Sequence, residues 1–201
     1  MHANENLELV RPTIEYGPTY LAMVDDFIRA GEEYDFNNIE LARTDFAQFV
    51  RELEDEAEGI GLPPDIPPQQ TYLLLKDGNM VVGEIRFRPR LRLPYEKFAG
   101  HIGYNIRPDQ RGQGYATRQL ALLLAEARKI QLTGVSLTTE DANPASVRVI
   151  EKNGGKLLRI IEHPIKTRIM VTDDNTLQVV DSVQVDQQCH FYWIDLTETS
   201  K

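Results

Sequence analysis

The 201-residue sequence contains a single cysteine, Cys189. One thiol cannot form a disulfide framework or a cysteine-based metal site within one chain, and sparse cysteine use suits a reducing cytosol. Long apolar runs are also missing, since no stretch approaches the roughly 20 residues that a membrane helix needs. The initial stretch MHANENLELVRP lacks the segments of a signal peptide. We therefore expect a cytoplasmic protein without a metal or a membrane partner.

Basic residues are outnumbered by acidic ones, with 22 Lys and Arg against 31 Asp and Glu and a formal net charge of -9. This balance argues against a nucleic-acid or anionic-membrane partner, because both need a basic surface. The hydrophobic fraction of 41% and the charged fraction of 26% are typical of a soluble globular protein with one full-sized core.

Helical patterns dominate the first third of the chain. A short strand over residues 7–12 precedes apolar residues at helical spacing over 16–30 and again over 45–57. Gly31 follows the first of these helices as a stop signal. The stretch GIGLPPDIPPQQ, residues 59–70, is rich in proline and glycine and predicts a loop.

Strand signals dominate the rest of the chain. We predict strands over residues 71–76, 80–88, 98–108, 134–140, 156–162 and 189–196, helices over 116–130 and 143–155, and an irregular strand or hairpin over 166–185. In the second helix Asn143 is the expected N-cap, Pro144 the first helical residue and Gly154 the stop. This order predicts one mixed α/β domain over residues 1–201.

The stretch RPDQRGQGYATRQL, residues 107–120, places two glycines directly before a helix. Such a turn exposes backbone N–H groups where the helix dipole is positive, and it therefore suits an anion, most naturally a phosphate. Gly112 and Gly114 allow the backbone to approach a phosphate without an intervening side chain, and Arg111 adds a charged contact. The alternative is that the two glycines only shape a turn.

Two common phosphate-binding loops do not fit this stretch. A P-loop for ATP needs a lysine followed by serine or threonine after its glycines, whereas Gly114 is followed by Tyr115, Ala116 and Thr117. A dinucleotide fold needs its glycine fingerprint after an early strand. The sequence GQG lacks the third glycine and follows three antiparallel-looking strands.

The turn resembles the acetyl-CoA motif of the GNAT N-acetyltransferases, with Arg111, Gly114 and Ala116 at the motif positions. A second signature of that family follows at the expected distance, and it comprises Asn143, Ser146, Glu151, Lys152 and Gly154. The resemblance covers about residues 71–160. It is closest to a bacterial subgroup with GHIGY, here residues 100–104, and YWI, here residues 192–194.

This resemblance implies an α/β (α+β) fold with a single mixed, mostly antiparallel sheet and helices on both faces. Residues 71–160 would form the motif-bearing core, residues 1–70 would shape the substrate site, and residues 161–201 would add carboxy-terminal strands. The implied activity is transfer of an acetyl group from acetyl-CoA to a primary amine of a small molecule or peptide, by direct attack in a ternary complex. The resemblance involves no metal and is compatible with a homodimer.

The resemblance also implies a set of cofactor-binding residues between two strands that splay apart. They are Asn105, Ile106, Arg111, Gly112, Gln113, Gly114, Tyr115, Ala116, Thr117, Asn143 and Ser146. The backbone at Asn105 and Ile106 would hold the pantetheine arm and the acetyl carbonyl, and an N–H aimed at that oxygen would stabilise the oxyanion. The pyrophosphate would lie on the N–H groups of residues 111–117.

A base must take the proton of the amine, which is charged at neutral pH. His101 is the first catalytic candidate, because it precedes the motif about where relatives carry a glutamate and its usual pKa suits the task; the alternative is packing beside Tyr104. Glu84 is the second candidate, and its alternative is a salt bridge with Arg86 or Arg88. Glu140 and Asp141 come third.

One position departs from the family pattern. Many relatives carry a tyrosine before the EK pair as the acid that protonates the leaving thiolate, and here that position is Ile150. Water, Tyr104, Tyr115 or another residue would have to replace it. The departure keeps open a non-catalytic acyl-CoA-binding or regulatory module, and a structural α/β domain with a chance glycine turn is the third reading. The sequence does not identify the acceptor.

Overall fold

The computed structural model describes residues 5–32, 34, 37–92, 96, 99–140, 143–163, 166–171, 177–183 and 187–197. Within them lie helices α1 (Gly17–Arg29), α2 (Ile39–Thr44), α3 (Phe46–Glu58), α4 (Tyr115–Lys129) and α5 (Pro144–Lys152). None of the helices in this part of the chain is long and apolar enough to cross a membrane.

The strands of the described residues form separate hydrogen-bonded sheets. They are β1 (Leu7–Val10), β2 (Gln70–Lys76), β3 (Met80–Phe87), β4 (Ile102–Ile106), β5 (Gly134–Glu140), β6 (Lys156–His163), β7 (Lys166–Val171), β8 (Leu177–Val183) and β9 (Gln187–Asp195). One antiparallel sheet has the order β1-β2-β3-β4, another has the order β5-β9-β6, and β7 pairs with β8. The prediction of a single continuous sheet is therefore wrong, while the antiparallel α+β fold is confirmed.

The two larger sheets meet at one end of β4 and β5. Gly100 forms an isolated bridge with Leu137, and the His101 N–H donates to the Ser136 carbonyl at 2.8 Å. Gly100 has a φ of +74°, and a Cβ there would lie 2.6 Å from the Ser136 oxygen, so only glycine permits this approach. Past this contact the described residues show no pairing between β4 and β5. The two strands therefore diverge and leave unpaired edges.

Helices cover both faces of the first sheet. On one face α1 and α3 pack Tyr20 and Phe49 against Leu73 and Leu75 of β2. On the other face, α4 and α5 form a core with β3, β4, β5 and β9 that includes Ile85, Ile102, Leu120, Leu137 and Ile150. In β2, Leu73 and Leu75 belong to the first of these cores, while the intervening Leu74 packs with Tyr115 of α4, which confirms the prediction of helices on both faces.

Most element boundaries follow local signals in the sequence. Helix α1 ends at Gly31, whose φ is +72° and whose N–H donates to Ile28, while the Glu32 N–H donates to Phe27, the two bonds of a Schellman motif. Asn143 caps α5 as predicted, because its side chain accepts from the Ser146 N–H at 3.0 Å. Helix α2 was not predicted. The weakly patterned region does form an antiparallel pair, β7 with β8, with an irregular register.

Candidate functional site

A cavity of about 630 Å³ opens where β4 and β5 diverge. Its lining comes from the end of α1, from β4, from the turn and first residues of α4, and from α5. The residues that line it are Phe27, Glu32, Tyr104, Asn105, Ile106, Gln110, Arg111, Gly112, Gly114, Tyr115, Ala116, Thr117, Asn143, Ala145, Ser146, Arg148, Val149 and Lys152. The structure thus brings together the residues predicted to bind the cofactor, apart from Gln113, which does not line the cavity.

The glycine turn leaves the start of α4 open to this cavity. Gly112 and Gly114 have φ values of +78° and +80°, which other residues adopt at a cost, and Gly114 is the N-cap of α4. Since glycine carries no capping side chain, no side-chain group occupies the N–H groups of the first turn. A Cβ at either glycine would meet no atom within 4 Å, so the space in front of the turn is free for a ligand.

The open edge of β4 presents backbone groups to the same cavity. The Arg107 N–H donates to Val82 and the Arg88 N–H to His101, so both bonds join this segment to β3. Because the direction alternates along an antiparallel pair, the N–H of Asn105 faces β3, while those of Tyr104 and Ile106 face the gap. The predicted backbone contact at Ile106 is compatible with this geometry. The second N–H that faces the gap belongs to Tyr104 and not, as predicted, to Asn105.

Arg111 is held by groups that the sequence did not connect to it. Its guanidinium forms two hydrogen bonds with Glu32, at 2.6 and 2.7 Å, and lies over the ring of Phe27. Its Nε donates to the Ile106 carbonyl at 3.1 Å. The hydrogen bonds from Arg111 hold the pKa of Glu32 below its usual value. A carboxylate therefore shares the cavity with the proposed phosphate site, and only three-dimensional proximity reveals it.

The start of α5 contributes a hydroxyl pair. The Tyr104 hydroxyl lies 2.9 Å from the Ser146 Oγ, and both residues line the cavity. Burial raises the pKa of Tyr104, so its phenol keeps its proton at neutral pH. The other tyrosine considered, Tyr115, also lines the cavity, but its hydroxyl is occupied because it donates to Glu5 at 2.8 Å. Ile150 is fully buried in the core.

His101 lies at a different cavity, of about 430 Å³. The Ser136 N–H donates to its Nδ1 at 3.0 Å, and the Ser136 Oγ is also 3.0 Å from that atom. Because a backbone N–H can only donate, Nδ1 must carry the lone pair, and the proton of the neutral ring is on Nε2. Burial, and then the charge of Arg88, lower the pKa of His101 to about 4. At neutral pH His101 is thus a neutral Nε2–H donor.

Glu84 is a completely buried carboxyl group. Its Oε2 accepts from Tyr34 at 2.7 Å, from Asn37 at 2.8 Å and from Tyr20 at 3.2 Å. Burial raises the pKa of Glu84, although the charge of Arg86 acts in the opposite direction. Nothing in the sequence pattern connected Tyr20, Tyr34 or Asn37 to this strand.

The cross-strand partner of Glu84 is Asn105, whose Oδ1 accepts from the Glu84 N–H at 3.1 Å. Within the described residues, the Oε1 of Glu84 and the Nδ2 of Asn105 are buried and have no hydrogen-bond partner. Two orphaned polar atoms on neighbouring residues suggest that a ligand or water completes the site. Of the third-ranked candidates, Glu140 is exposed at the end of β5 and lines neither cavity, and Asp141 lies outside the described residues.

Several solved structures have the same fold. RimJ of Mycobacterium smegmatis, solved in complex with CoA-disulfide, aligns with a TM-score of 0.65 and 16% identity over 97% of this chain and 84% of RimJ. An N-acetyltransferase of Staphylococcus aureus Mu50 gives 0.58 and 17% over 95% and 99%. The protein yncA of Salmonella typhimurium, solved with its cofactor acetyl-CoA, gives 0.55 and 14% over 97% and 96%. No curated protein sequence matches this chain.

The sequence itself carries the family assignment. Residues 11–156, more than half of the chain, match the family model described as Acetyltransferase (GNAT) domain. The matched region includes the glycine turn, the open edge of β4 and the capped start of α5. The chain therefore belongs to the GNAT acetyltransferase family.

Proposed function

We propose that the chain transfers the acetyl group of acetyl-CoA to a primary amine by direct attack within a ternary complex. The observation that carries this proposal is the 630 Å³ cavity, in which an open helix start and an unpaired strand edge lie together. Backbone donors in this arrangement suit phosphate oxygens at one end and a thioester carbonyl at the other.

The residues present fit acetyl-CoA in three respects. The N–H groups of the turn from Arg111 to Thr117 would bind the pyrophosphate. The N–H groups of Tyr104 and Ile106, at the open edge of β4, would bind the acetyl carbonyl and the pantetheine arm. Asn143 and Ser146 line the opposite wall. When bound, acetyl-CoA supplies an acetyl group activated as a thioester.

The transfer needs one proton acceptor and one proton donor. The neutral amine attacks the thioester carbonyl, so that a carbon–nitrogen bond forms and the carbon–sulfur bond breaks with its electron pair leaving on sulfur. The amine loses a proton to a base, and the thiolate takes one up. The products are the N-acetylated amine and the CoA thiol, and no enzyme nucleophile takes part.

For the base, we propose Glu84 rather than His101. The lone pair of neutral His101 is occupied by the Ser136 N–H, and its pKa of about 4 makes it a weak base. Glu84 has a raised pKa, which is what a base working near neutral pH needs. Glu84 lines neither cavity itself, but it lies directly across from Asn105, which lines the larger one, and its Oε1 has no hydrogen-bond partner among the described residues. It would therefore take the proton through a bridging water.

For the acid, we propose Tyr104. Its phenol is protonated, lines the cavity and lies beside the Ser146 hydroxyl, which can resupply a proton. This assignment accounts for the isoleucine at position 150. It also gives a role to the stretch GHIGY of the subgroup that the sequence resembles, since the tyrosine of that stretch is Tyr104.

The experiment is a thiol-release assay. The protein is incubated with acetyl-CoA and a panel of amino acids, polyamines, aminoglycosides and peptides, and free CoA thiol is measured with the N-acetylated product. We expect at least one amine class to release one thiol per acetylated amine, and acetyl-CoA but not ATP to raise the melting temperature. Acetyl-CoA binding without thiol release for any amine would contradict the proposed transfer and leave a CoA-binding module.

A further inference from the structure

The cavity beside His101 has an apolar lining with polar groups at distinct points. Its lining residues are Leu91, Glu96, His101, Ser136, Leu158, Arg159, Phe191 and Trp193. Four of the eight are large apolar or aromatic residues. They come from the segment after β3, from β6 and from β9, so the cavity lies on the face of the second sheet opposite the α4 and α5 core. A ligand here must bring apolar surface.

The polar groups of this cavity favour an acceptor of hydrogen bonds. The Nε2–H of His101 is a donor with a fixed orientation, because Ser136 holds the other ring nitrogen. The Arg159 guanidinium lies 4.5 Å from the centre of the Phe191 ring, which places a positive charge at the cavity wall. The Glu96 carboxylate also lines the cavity and can accept a hydrogen bond. A donor, a cation and a carboxylate together suit the C=O and N–H groups of a peptide. A polyamine could pair with Glu96, but its ammonium groups cannot accept the hydrogen bond from the His101 Nε2–H.

The distance to the reaction site sets the length of the ligand. His101 is three residues before Tyr104, and a strand rises roughly 3.3 Å per residue, so the cavity lies about 10 Å along β4 from the proposed thioester site. A free amino acid is too short to place its amine at Tyr104 and its side chain beside Trp193. An extended chain with carbonyl groups and apolar side chains spans this distance.

We propose that this cavity is the acceptor site and that the acceptor is the amino terminus of a short peptide with apolar side chains after its first residue. This inference rests on the proposed acetyl transfer. The peptide amine lies at the thioester, a peptide carbonyl accepts the hydrogen bond from His101 Nε2, and apolar side chains pack on Leu158, Phe191 and Trp193. His101 is then a specificity-determining residue.

Trp193 gives a direct test, because it is the only tryptophan in the sequence and it lines the cavity. The protein with bound CoA is titrated with Ala-Leu-Leu, Ala-Ser-Ser, leucine and spermidine, and the Trp193 emission is recorded. We expect a saturable change with Ala-Leu-Leu, with an affinity at least about tenfold higher than that for Ala-Ser-Ser because leucine side chains are buried. Leucine and spermidine should give no saturable change in this range.

Two variants test the role of His101. His101→Leu removes the donor and should weaken Ala-Leu-Leu binding about three- to tenfold, the usual effect of losing one hydrogen bond. His101→Gln retains an N–H donor and should recover most of that loss. In turnover, His101→Leu should raise the KM for the peptide and change kcat little, whereas a base would lower kcat.

The proposal is overturned if spermidine gives the saturable change and Ala-Leu-Leu does not, or if Ala-Leu-Leu and Ala-Ser-Ser bind equally. Equal peptide affinities for the Leu and Gln variants at position 101 would remove the proposed hydrogen bond. Failure of the two proposals can be told apart. Peptide binding without thiol release would support the acceptor cavity and contradict the proposed acetyl transfer. Thiol release with polyamines alone would support the acetyl transfer and contradict the peptide acceptor.

Discussion

The two cavities beside β4 are built from different kinds of groups. The larger one uses main-chain N–H groups at the start of α4 and at the edge of β4, which glycines and a diverging strand expose. The smaller one uses side chains from strands far apart in the sequence, including His101, Ser136, Arg159 and Trp193. A site made of backbone groups needs particular backbone conformations, so glycine and proline at fixed positions indicate it in the sequence. A site made of side chains from distant strands has no such local sequence pattern.

The largest expected effect is at the turn. Gly114→Val places a side chain in the open space before α4 and forces a β-branched residue to a φ of +80°. We expect the affinity for acetyl-CoA, measured by calorimetry, to fall beyond detection, with a stability cost of about 1–3 kcal/mol. Gly61→Val is a matched control, because Gly61 also has a positive φ of +72° with no atom near its Cβ position but lies outside the cavity. A similar loss of affinity in Gly61→Val would attribute the effect to strain.

The next effect concerns the proposed base. Glu84→Gln keeps an oxygen for Tyr34 and Asn37 but cannot accept a proton, and kcat should fall about 10²-fold. Since burial raises the pKa of Glu84, the wild-type rate should fall as pH drops through a value above the usual 4.5 of a glutamate, and the variant should lack this limb. Rates of wild type and variant at each pH check this.

The pH dependence of stability should run opposite to that of the rate, because ionisation of Glu84 is needed for the reaction but lowers the free energy of unfolding. The folded-state pKa of Glu84 is raised, so its contribution to stability is full at low pH and is lost as pH rises through that pKa. Unfolding measured over pH should show this loss in wild type and not in Glu84→Gln. Glu56→Gln is the matched control for kcat. Burial also raises the pKa of Glu56, but its hydrogen-bond partner is Gln69 on the loop before β2, so this variant should leave kcat unchanged. A wild-type kcat in Glu84→Gln would exclude Glu84 from the mechanism.

A smaller effect is expected at the start of α5. Asn143→Ala removes the cap bond to Ser146 and should cost about 1 kcal/mol of unfolding free energy. Since Asn143 also lines the cavity, the affinity for acetyl-CoA should fall severalfold. Asp45→Ala, which removes the equivalent bond to Gln48 at the start of α3, should lower stability by a similar amount without changing affinity. Unchanged affinity in both variants would reduce Asn143 to a helix cap.

The smallest expected effect has the opposite sign. Glu32 places a negative charge beside the proposed phosphate site, so Glu32→Gln should raise the affinity for acetyl-CoA a few-fold, and more at low salt. The pair with Arg111 is half exposed and should contribute at most about 1 kcal/mol to stability. Glu126→Gln breaks an ion pair with Lys129 that lies away from the cavity, and it should leave the affinity unchanged. A weaker affinity in Glu32→Gln would mean that Glu32 positions Arg111 for the phosphate.

The fold and the geometry of the glycine turn could be predicted because short-range signals determine them. Gly31 ends α1, Asn143 caps α5, and the spacing of Gly112 and Gly114 marks the open start of α4, so each feature depends on neighbouring residues alone. Helix α2 was not predicted because its six residues are too few to show a periodic pattern. The break between β4 and β5 depends on Gly100 contacting Ser136, a long-range contact without a local signal.

The environments of the proposed catalytic and acceptor residues could not be predicted from the sequence. Which nitrogen of His101 carries the proton depends on the Ser136 N–H, 35 residues away. The environment of Glu84 comes from Tyr34 and Asn37, which precede it by 50 and 47 residues. Such contacts change the pKa and therefore the chemical role of a group, while the residue type in the sequence stays the same.

In the proposed complex, backbone N–H groups at the start of α4 and at the edge of β4 hold the cofactor. Amide hydrogen exchange with and without acetyl-CoA tests it most directly, because it reports each N–H separately. We predict slower exchange at Tyr104, Ile106 and residues 112–117 in the presence of acetyl-CoA. The first turn of α3, a capped helix start outside the cavity, should not change. If bound acetyl-CoA protects other amides and leaves residues 112–117 unchanged, the cofactor does not lie on the glycine turn.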